Sequence, residues 1–304
     1  MKRYDIIENI KSKIITIDNI NRINDCYIRY LFSDIGSEKI VLNFINSVMK
    51  NMNMKTFYKV EILNPFNLSK YINSKESVMD IKCITENGEA VIIEIQLQGN
   101  ESFIKRVLYY WASSYSVRLN KNDKYNKLTP VISINILNFK LVKDIDYIHT
   151  CYVLKEIKYN KILTEDCQLH FIELPKFQSN NYNDLQEEFS SWLKFFKGED
   201  MSILLKENTI FEEVKEKSES FIHNEPLIDT YRKKEIDEYF HQEMMNIELN
   251  KAEEIGIKKG IKQGIEQGER NKAILIAEKL KKSGLDNKFI SETTGLSLEE
   301  IEKL

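Results

Sequence analysis

The most constraining stretch of this chain is Val78-Met-Asp80-Ile-Lys82-Cys-Ile-Thr-Glu-Asn-Gly-Glu-Ala-Val-Ile-Ile-Glu94-Ile-Gln96-Leu97. Apolar and polar side chains alternate along both arms. Between them sits Asn87-Gly88, a dipeptide that strongly favours a hairpin turn. Residues two apart on a strand share a face. Met79, Ile81 and Cys83 therefore form the apolar side of the first arm, with Asp80 and Lys82 on the other. In the second arm Val91, Ile93, Ile95 and Leu97 are set against Glu94 and Gln96.

This alternation tests the register. A strict two-residue turn pairs Glu86 with Glu89 and sets Asp80 opposite Ile95. Opposed residues of an antiparallel pair point to the same face, so an acid would join the core along the whole hairpin. The pattern predicts an odd loop, Asn87-Gly88-Glu89, or a bulge. Asp80 then pairs with Gln96 and Lys82 with Glu94, and the four polar groups converge on one face. Two carboxylates on adjacent strands make a hard-oxygen site of the kind magnesium prefers. Such a metal polarises a phosphate and lowers the pKa of bound water. On spacing alone, a solvated sheet face with a Lys82–Glu94 ion pair explains the same residues.

The flanks give the hairpin its setting. Ile40, Val41, Phe44, Ile45 and Val48 recur at helical spacing from Ser37, a candidate cap, to about Lys50. Strand character follows at Phe57 to Leu63, Ser77 to Thr85 and Ala90 to Gln98. Ser102 to Leu119 reads as a helix with the stripe Ile104, Val107, Leu108, Trp111 and Tyr115. Val131 to Phe139 has the isoleucine-rich composition of a buried central strand. Tyr152–Ile157 and Leu169–Leu174 are further strands, the second stopped by Pro175. The order predicts a mixed α/β domain over residues 26–180, after a loosely held polar arm at 1–25.

Residues 181–255 read as a helical region, with helices at Tyr182 to Phe196 and Ile210 to Ile222 and a long one starting near Pro226. Gly256, Gly260, Gly264 and Gly268, flanked by Ile257, Ile261 and Ile265, define a glycine-repeat helix or linker over 256–272. Each glycine costs a helix about 1 kcal/mol, so close helix packing or dimerisation stands beside a flexible linker as its explanation. Residues 273–304 form a small helix-turn-helix-like unit broken at Ser283-Gly284 and Thr294-Gly295, with Asp286 and Ser297 as caps.

Composition narrows the function classes. Lys+Arg 44 against Asp+Glu 47 gives a net charge of −3, so any nucleic acid must be held by a local patch. The best patch is Lys105, Arg106, Arg118, Lys121, Lys124 and Lys127, interleaved with Tyr109, Tyr110 and Tyr125. Cys26, Cys83, Cys151 and Cys167 form no CxxC pair and read as buried thiols in a reducing cytoplasm. The four histidines show no metal-binding spacing, and there is no P-loop or Gly-x-Ser-x-Gly. No signal peptide or membrane span is expected.

Asp80, thirteen intervening residues, then Glu94-x-Gln96 resembles the PD-(D/E)xK nuclease core. The surrounding order resembles its restriction-endonuclease-like αβββαβ arrangement, here followed by a helical C-terminal extension. More specifically, the chain is similar to the Rpn-type recombination-promoting nuclease and putative transposase family. The likeness rests on Leu31-Phe-Ser-Asp34 with Phe44-Ile-Asn46, Val78-Met-Asp80-Ile-Lys82 and Ile93-Glu94-Ile-Gln96. It continues through Arg106-x-x-x-Tyr110, Tyr125-x-x-Leu128-x-Pro130-Val131 and Phe171-x-Glu173-Leu174-Pro175-Lys176.

The resemblance implies metal-dependent endonucleolytic cleavage of DNA in recombination or transposition. Asp80 and Glu94 would hold Mg2+, with Mn2+ as a substitute and the Ile95 carbonyl as a further donor. Gln96 stands in the place of the superfamily lysine; it can orient water or phosphate but carries no charge. Lys82, beside Glu94 in the expected register, is a candidate for the missing cation. Asp34 and Glu38 are candidate acids from the first helix. Lys105, Arg106, Tyr110, Arg118, Lys121 and Lys124 would grip phosphates. The alternative is a catalytically weak relative acting as a DNA- or protein-binding module through its tail, and a homodimer through the C-terminal helices fits either.

Overall fold

A computed structural model describes residues 3–73, 81–100, 102–119, 123–177 and 185–304. Residues through Ile236 form one unit and Asp237–Leu304 a second. The first unit opens with α1 (Arg3–Ser12), α2 (Asp25–Ser33) and α3 (Glu38–Asn51), then β1 (Val60–Ile62), α4 (Leu68–Asn73), β2 (Ile81–Thr85) and β3 (Ala90–Gln96). It continues with α5 (Phe103–Ser116), β4 (Val131–Leu137), β5 (His149–Lys155) and β6 (Ile162–Glu173), then α6 (Glu187–Phe196), α7 (Met201–Glu207) and α8 (Ile210–Ile222). The expected mixed α/β core is therefore present.

The six strands form one sheet in the order β1-β2-β3-β4-β6-β5. β1, β2 and β3 pair antiparallel, β3–β4 and β4–β6 are parallel, and β5 returns antiparallel to β6. The β3–α5–β4 crossover joins the antiparallel edge to the parallel centre. Every residue of β4 is buried, as a strand covered on both faces requires.

One face packs on α2, α3, α6 and α8. Ile93, Ile95, Ile134 and Ile136 join Phe32, Phe44, Trp192 and Phe211 in a single cluster. Trp192 is fully buried, 5.1–6.0 Å from the rings of five phenylalanines, and its indole N–H donates to Asn43 Oδ1 at 2.8 Å. The other face packs on α5 through Phe103, Val107, Leu137, Leu169 and Phe171.

The hairpin register differs from expectation by two residues. The loop has three residues, but they are Glu86, Asn87 and Gly88: Thr85 N donates to Glu89 O at 2.9 Å and Gly88 N to Thr85 O at 3.0 Å. Gly88 supplies a left-handed φ of 85° at the last loop position, so the loop closes one residue early. Lys82 consequently faces Ile92, and Ile81 faces Ile93. Parity holds, so Cys83, Val91 and Ile93 stay in the core as read. The predicted Lys82–Glu94 partnership does not survive, since Lys82 is paired with Ile92; Asp80, expected opposite Gln96, lies outside the described residues.

Two further expectations change. The N-terminal segment is not loosely held: Ile20 and Arg22 are buried. Arg22 donates to the carbonyls of Phe195 (3.3 Å) and Glu199 (2.7 Å), at and beyond the C-terminal end of α6, where helical carbonyls run out of i+4 donors. Asn21 and Asn24 donate to Glu235 at 2.8 and 2.9 Å. Residues that read as solvent-seeking are spent on tertiary hydrogen bonds. Ser37 precedes α3 but its hydroxyl makes no cap bond.

α9 runs unbroken over Glu225–Lys282. It includes the whole glycine repeat, so 256–272 is helix rather than linker. A Cβ built on Gly256, Gly260, Gly264 or Gly268 meets nothing within 4 Å. In the second unit, α10 (Asn287–Thr294) is capped by Asp286 and α11 (Leu298–Glu302) by a Ser297–Glu300 capping box, as expected. Ala277, Ile290, Leu296 and Ile301 form its small core.

Candidate active site

Glu94 sits near the end of β3 on the α5 side of the sheet. Alternation puts Ile93 and Ile95 into the large core and turns Glu94 and Gln96 the other way. Glu94 is 4% exposed. A carboxylate buried to that degree requires a partner, and Arg106 supplies one. Arg106 Nη2 donates to Glu94 Oε1 at 2.9 Å and also to Gln96 Oε1. Gln96 Nε2 in turn donates to Gln98 O at 3.0 Å, which fixes the amide with its oxygen toward the guanidinium.

Local sequence explains the placement. Phe103 and Val107 are the buried positions of α5, and Arg106 follows Phe103 by three. That spacing puts it on the inner side of the helix, its guanidinium 5.5 Å from the Phe103 ring centre. Gly99 lets the chain turn from β3 into α5 against Phe139, since a Cβ there would lie 2.7 Å from the ring. On β4, Asn135 is the register partner of Glu94 and Ser133 that of Ile92. Asn135 donates to Ser133 Oγ (3.1 Å) and His170 O (3.0 Å) while its own Oδ1 is buried without a partner. These two residues extend the polar row, and an isoleucine-rich strand gave no cause to single them out.

The remaining sequence-derived residues scatter. Lys82 is exposed, one strand over, opposite Ile92. Lys105 and Lys124 are exposed, and Tyr110 is half-buried on α5. Arg118 is committed to the carbonyls of Gly88, Thr129 and Pro130, fastening the hairpin loop to the approach of β4. Asp80 and Lys121 lie outside the described residues. Asp34 pairs with Lys217 at 2.7 Å. Glu38 opens α3, on the opposite layer from Glu94. Its charge, after burial, helps push the Cys83 thiol up to about 12. Glu173 and Lys176 form a buried pair at 2.8 Å that also binds the backbone of Leu141, Val142 and Ile145, so that motif folds the loop after β4.

Among the described residues no cluster of three or more histidine, cysteine, aspartate or glutamate side chains could hold a metal. The donors at the end of β3 are nonetheless of the right kind. A carboxylate and a carboxamide oxygen are hard ligands, and the guanidinium lodged on them marks a position that takes positive charge.

The fold and this arrangement define a restriction-endonuclease-like α/β protein. Residues 22–248 match the model of the PD-(D/E)XK nuclease family transposases. The chain belongs to that family. No curated protein and no solved structure matches it. No helix among the described residues is long and apolar enough to cross a membrane.

Proposed function

We propose that this protein is a metal-dependent DNA endonuclease acting in recombination or transposition. The observation that carries the reading is the buried Glu94 carboxylate, held beside Gln96 and a cation at the end of the central hairpin. In a family of nucleases, a carboxylate so placed is a ligand for a divalent ion. Asp80 is its partner ligand in this reading, and the Ile95 carbonyl adds a third oxygen. Mg2+ is the proposed ion and Mn2+ a substitute. When bound it polarises the scissile phosphate and makes a bound water acidic. Gln96 orients that water or a phosphate oxygen. Lys105, Tyr110 and Lys124 hold flanking phosphates.

The test is nicking of supercoiled plasmid by the purified full chain with Mg2+, Mn2+ or EDTA, beside Asp80→Ala and Glu94→Ala. Cleavage should require metal and fall to background in both variants. Cleavage that persists in Glu94→Ala would remove Glu94 from the site.

Two finer parts belong to the same reading. Four free cysteines suit a cytoplasmic location, where thiols stay reduced. A second copy of the chain is the proposed partner for α9, where Ile257, Ile261 and Ile265 stand 55–58% exposed beside the glycines. Replacing all three isoleucines with serine in the full chain should convert a dimer to a monomer in light scattering. A parent protein that is already monomeric would dismiss this part alone.

A further inference from the structure

Arg106 holds the carboxylate by an unusual grip. Both bonds, to Glu94 Oε1 and to Gln96 Oε1, use the same terminal nitrogen, Nη2. The parallel fork that makes arginine–carboxylate pairs strong is not formed. Nε is buried and has no hydrogen-bond partner. The Arg106 side chain is 32% exposed, while that of Glu94 is 6% exposed. The acid is fixed in the sheet and the cation has a route to solvent.

A divalent ion bound at Glu94 draws on the carboxylate whose charge Arg106 neutralises through Oε1. Two positive charges held on one carboxylate in a poorly solvated site repel each other strongly. A guanidinium released from Glu94 remains tethered to α5 beside the catalytic end of β3, with its donors open. Arginine's planar donor set suits a phosphate. We infer that Arg106 is a metal-responsive positioning residue: it neutralises Glu94 in the metal-free protein, gives way to the divalent ion, and is thereby turned onto a DNA phosphate. The inference rests on the nuclease reading and adds regulation to that same site. Metal occupancy and phosphate grip become one event, so the phosphate contact is made only when the site is loaded.

The experiment measures binding, without cleavage. Mn2+ affinity of the full chain is read from the free-ion electron paramagnetic resonance signal for the parent, Arg106→Gln, Arg106→Lys and Glu94→Gln. Affinity for a short DNA duplex is read by anisotropy in EDTA and in Ca2+. Arg106→Gln should bind Mn2+ about tenfold tighter, a change of about 1.4 kcal/mol, because nothing need be displaced. Arg106→Lys should stay near the parent, and it serves as the test variant should the glutamine protein fail to fold: its DNA affinity in Ca2+ should drop, since an ammonium cannot reproduce the planar contact.

In EDTA, parent and Arg106→Gln should bind DNA equally, since the guanidinium is engaged on Glu94. In Ca2+ only the parent should gain the extra grip. An arginine that simply touches phosphate would lower DNA affinity in both conditions when replaced, and that result overturns the inference. So does Mn2+ affinity unchanged or weakened in Arg106→Gln. If that occurs while Glu94→Gln loses Mn2+, only the coupling falls. If the parent binds no Mn2+, the nuclease reading falls with it.

Discussion

The two faces of the sheet handle buried polar groups in opposite ways. The face under α3 and α6 carries His149, His170 and Cys151 among aromatic side chains, with His149 5.0 Å from the Phe189 ring. Its groups close on themselves as neutral partners. Asn51 Nδ2 can only donate, so His149 Nδ1 accepts at 2.9 Å. Nε2 of His149 then carries the proton it gives to His170 Nδ1 at 3.0 Å, and His170 Nε2 points to Cys151 Sγ at 3.6 Å. Burial holds His149 well below its ordinary range and His170 down at about 4. The face under α5 instead keeps charge, Glu94 against Arg106, within reach of solvent. The first face buries neutral groups that satisfy one another, and the second holds an ion pair whose cation is partly exposed.

The largest effect expected on the closed face is from Trp192→Ala. It removes the centre of the aromatic cluster and should cost about 3–5 kcal/mol, read from the urea midpoint. A loss below about 1 kcal/mol would mean the cluster re-closes.

Acid should open the same face. Both histidines are neutral when folded and take a proton near pH 6.5 when unfolded. The unfolded chain therefore binds more protons below that pH. Stability should be full above about pH 6.5 and fall toward pH 4, by up to about 1.4 kcal/mol per pH unit for each histidine. Urea midpoints at pH 7 and pH 5 measure it, and a midpoint that does not move would show that the pair is charged or solvated.

On the α5 face, Gly99→Ala drives a methyl into the Phe139 ring and should cost about 1–3 kcal/mol. Phe139→Leu should recover part of that loss. Failure of the rescue would show that Gly99 is needed for its backbone and not for the close approach.

The smallest effect lies away from both faces. Gly264→Ala on α9 meets no neighbour and should stabilise the helix by about 0.4–1 kcal/mol, seen as a higher melting temperature of the 222 nm signal. Destabilisation would mean that the proposed second copy packs on the glycines themselves and not only on the isoleucines beside them.

How much of this was legible in the sequence follows from how local each determinant is. The hairpin, its face parity and its three-residue loop were readable, because alternation and Asn-Gly act over a few residues. The exact loop residues were not. Shifting the loop by one keeps the faces and changes every partner, so parity could not see it, and the candidate cation Lys82 was misplaced with it. The Arg106–Glu94 contact spans twelve residues, and its one signal was the i+3 step from the buried Phe103. Arg118 reads from the sequence as part of a phosphate-gripping patch; only the tertiary fold shows that backbone carbonyls consume it, as they do Arg22.

The sequence by itself determined the αβββαβ order, the family likeness, the acid-bearing face of the hairpin and the caps of the C-terminal helices. The family likeness rests on the order of its motifs along the chain; the rest follows from side-chain periodicity or from turn and cap chemistry within a few residues. Only the tertiary structure decided which cation meets Glu94, which layer the first-helix acids join, and that residues 13–24 are anchored. Those outcomes depend on which distant groups compete for the same buried hydrogen bonds, and no local pattern records that competition.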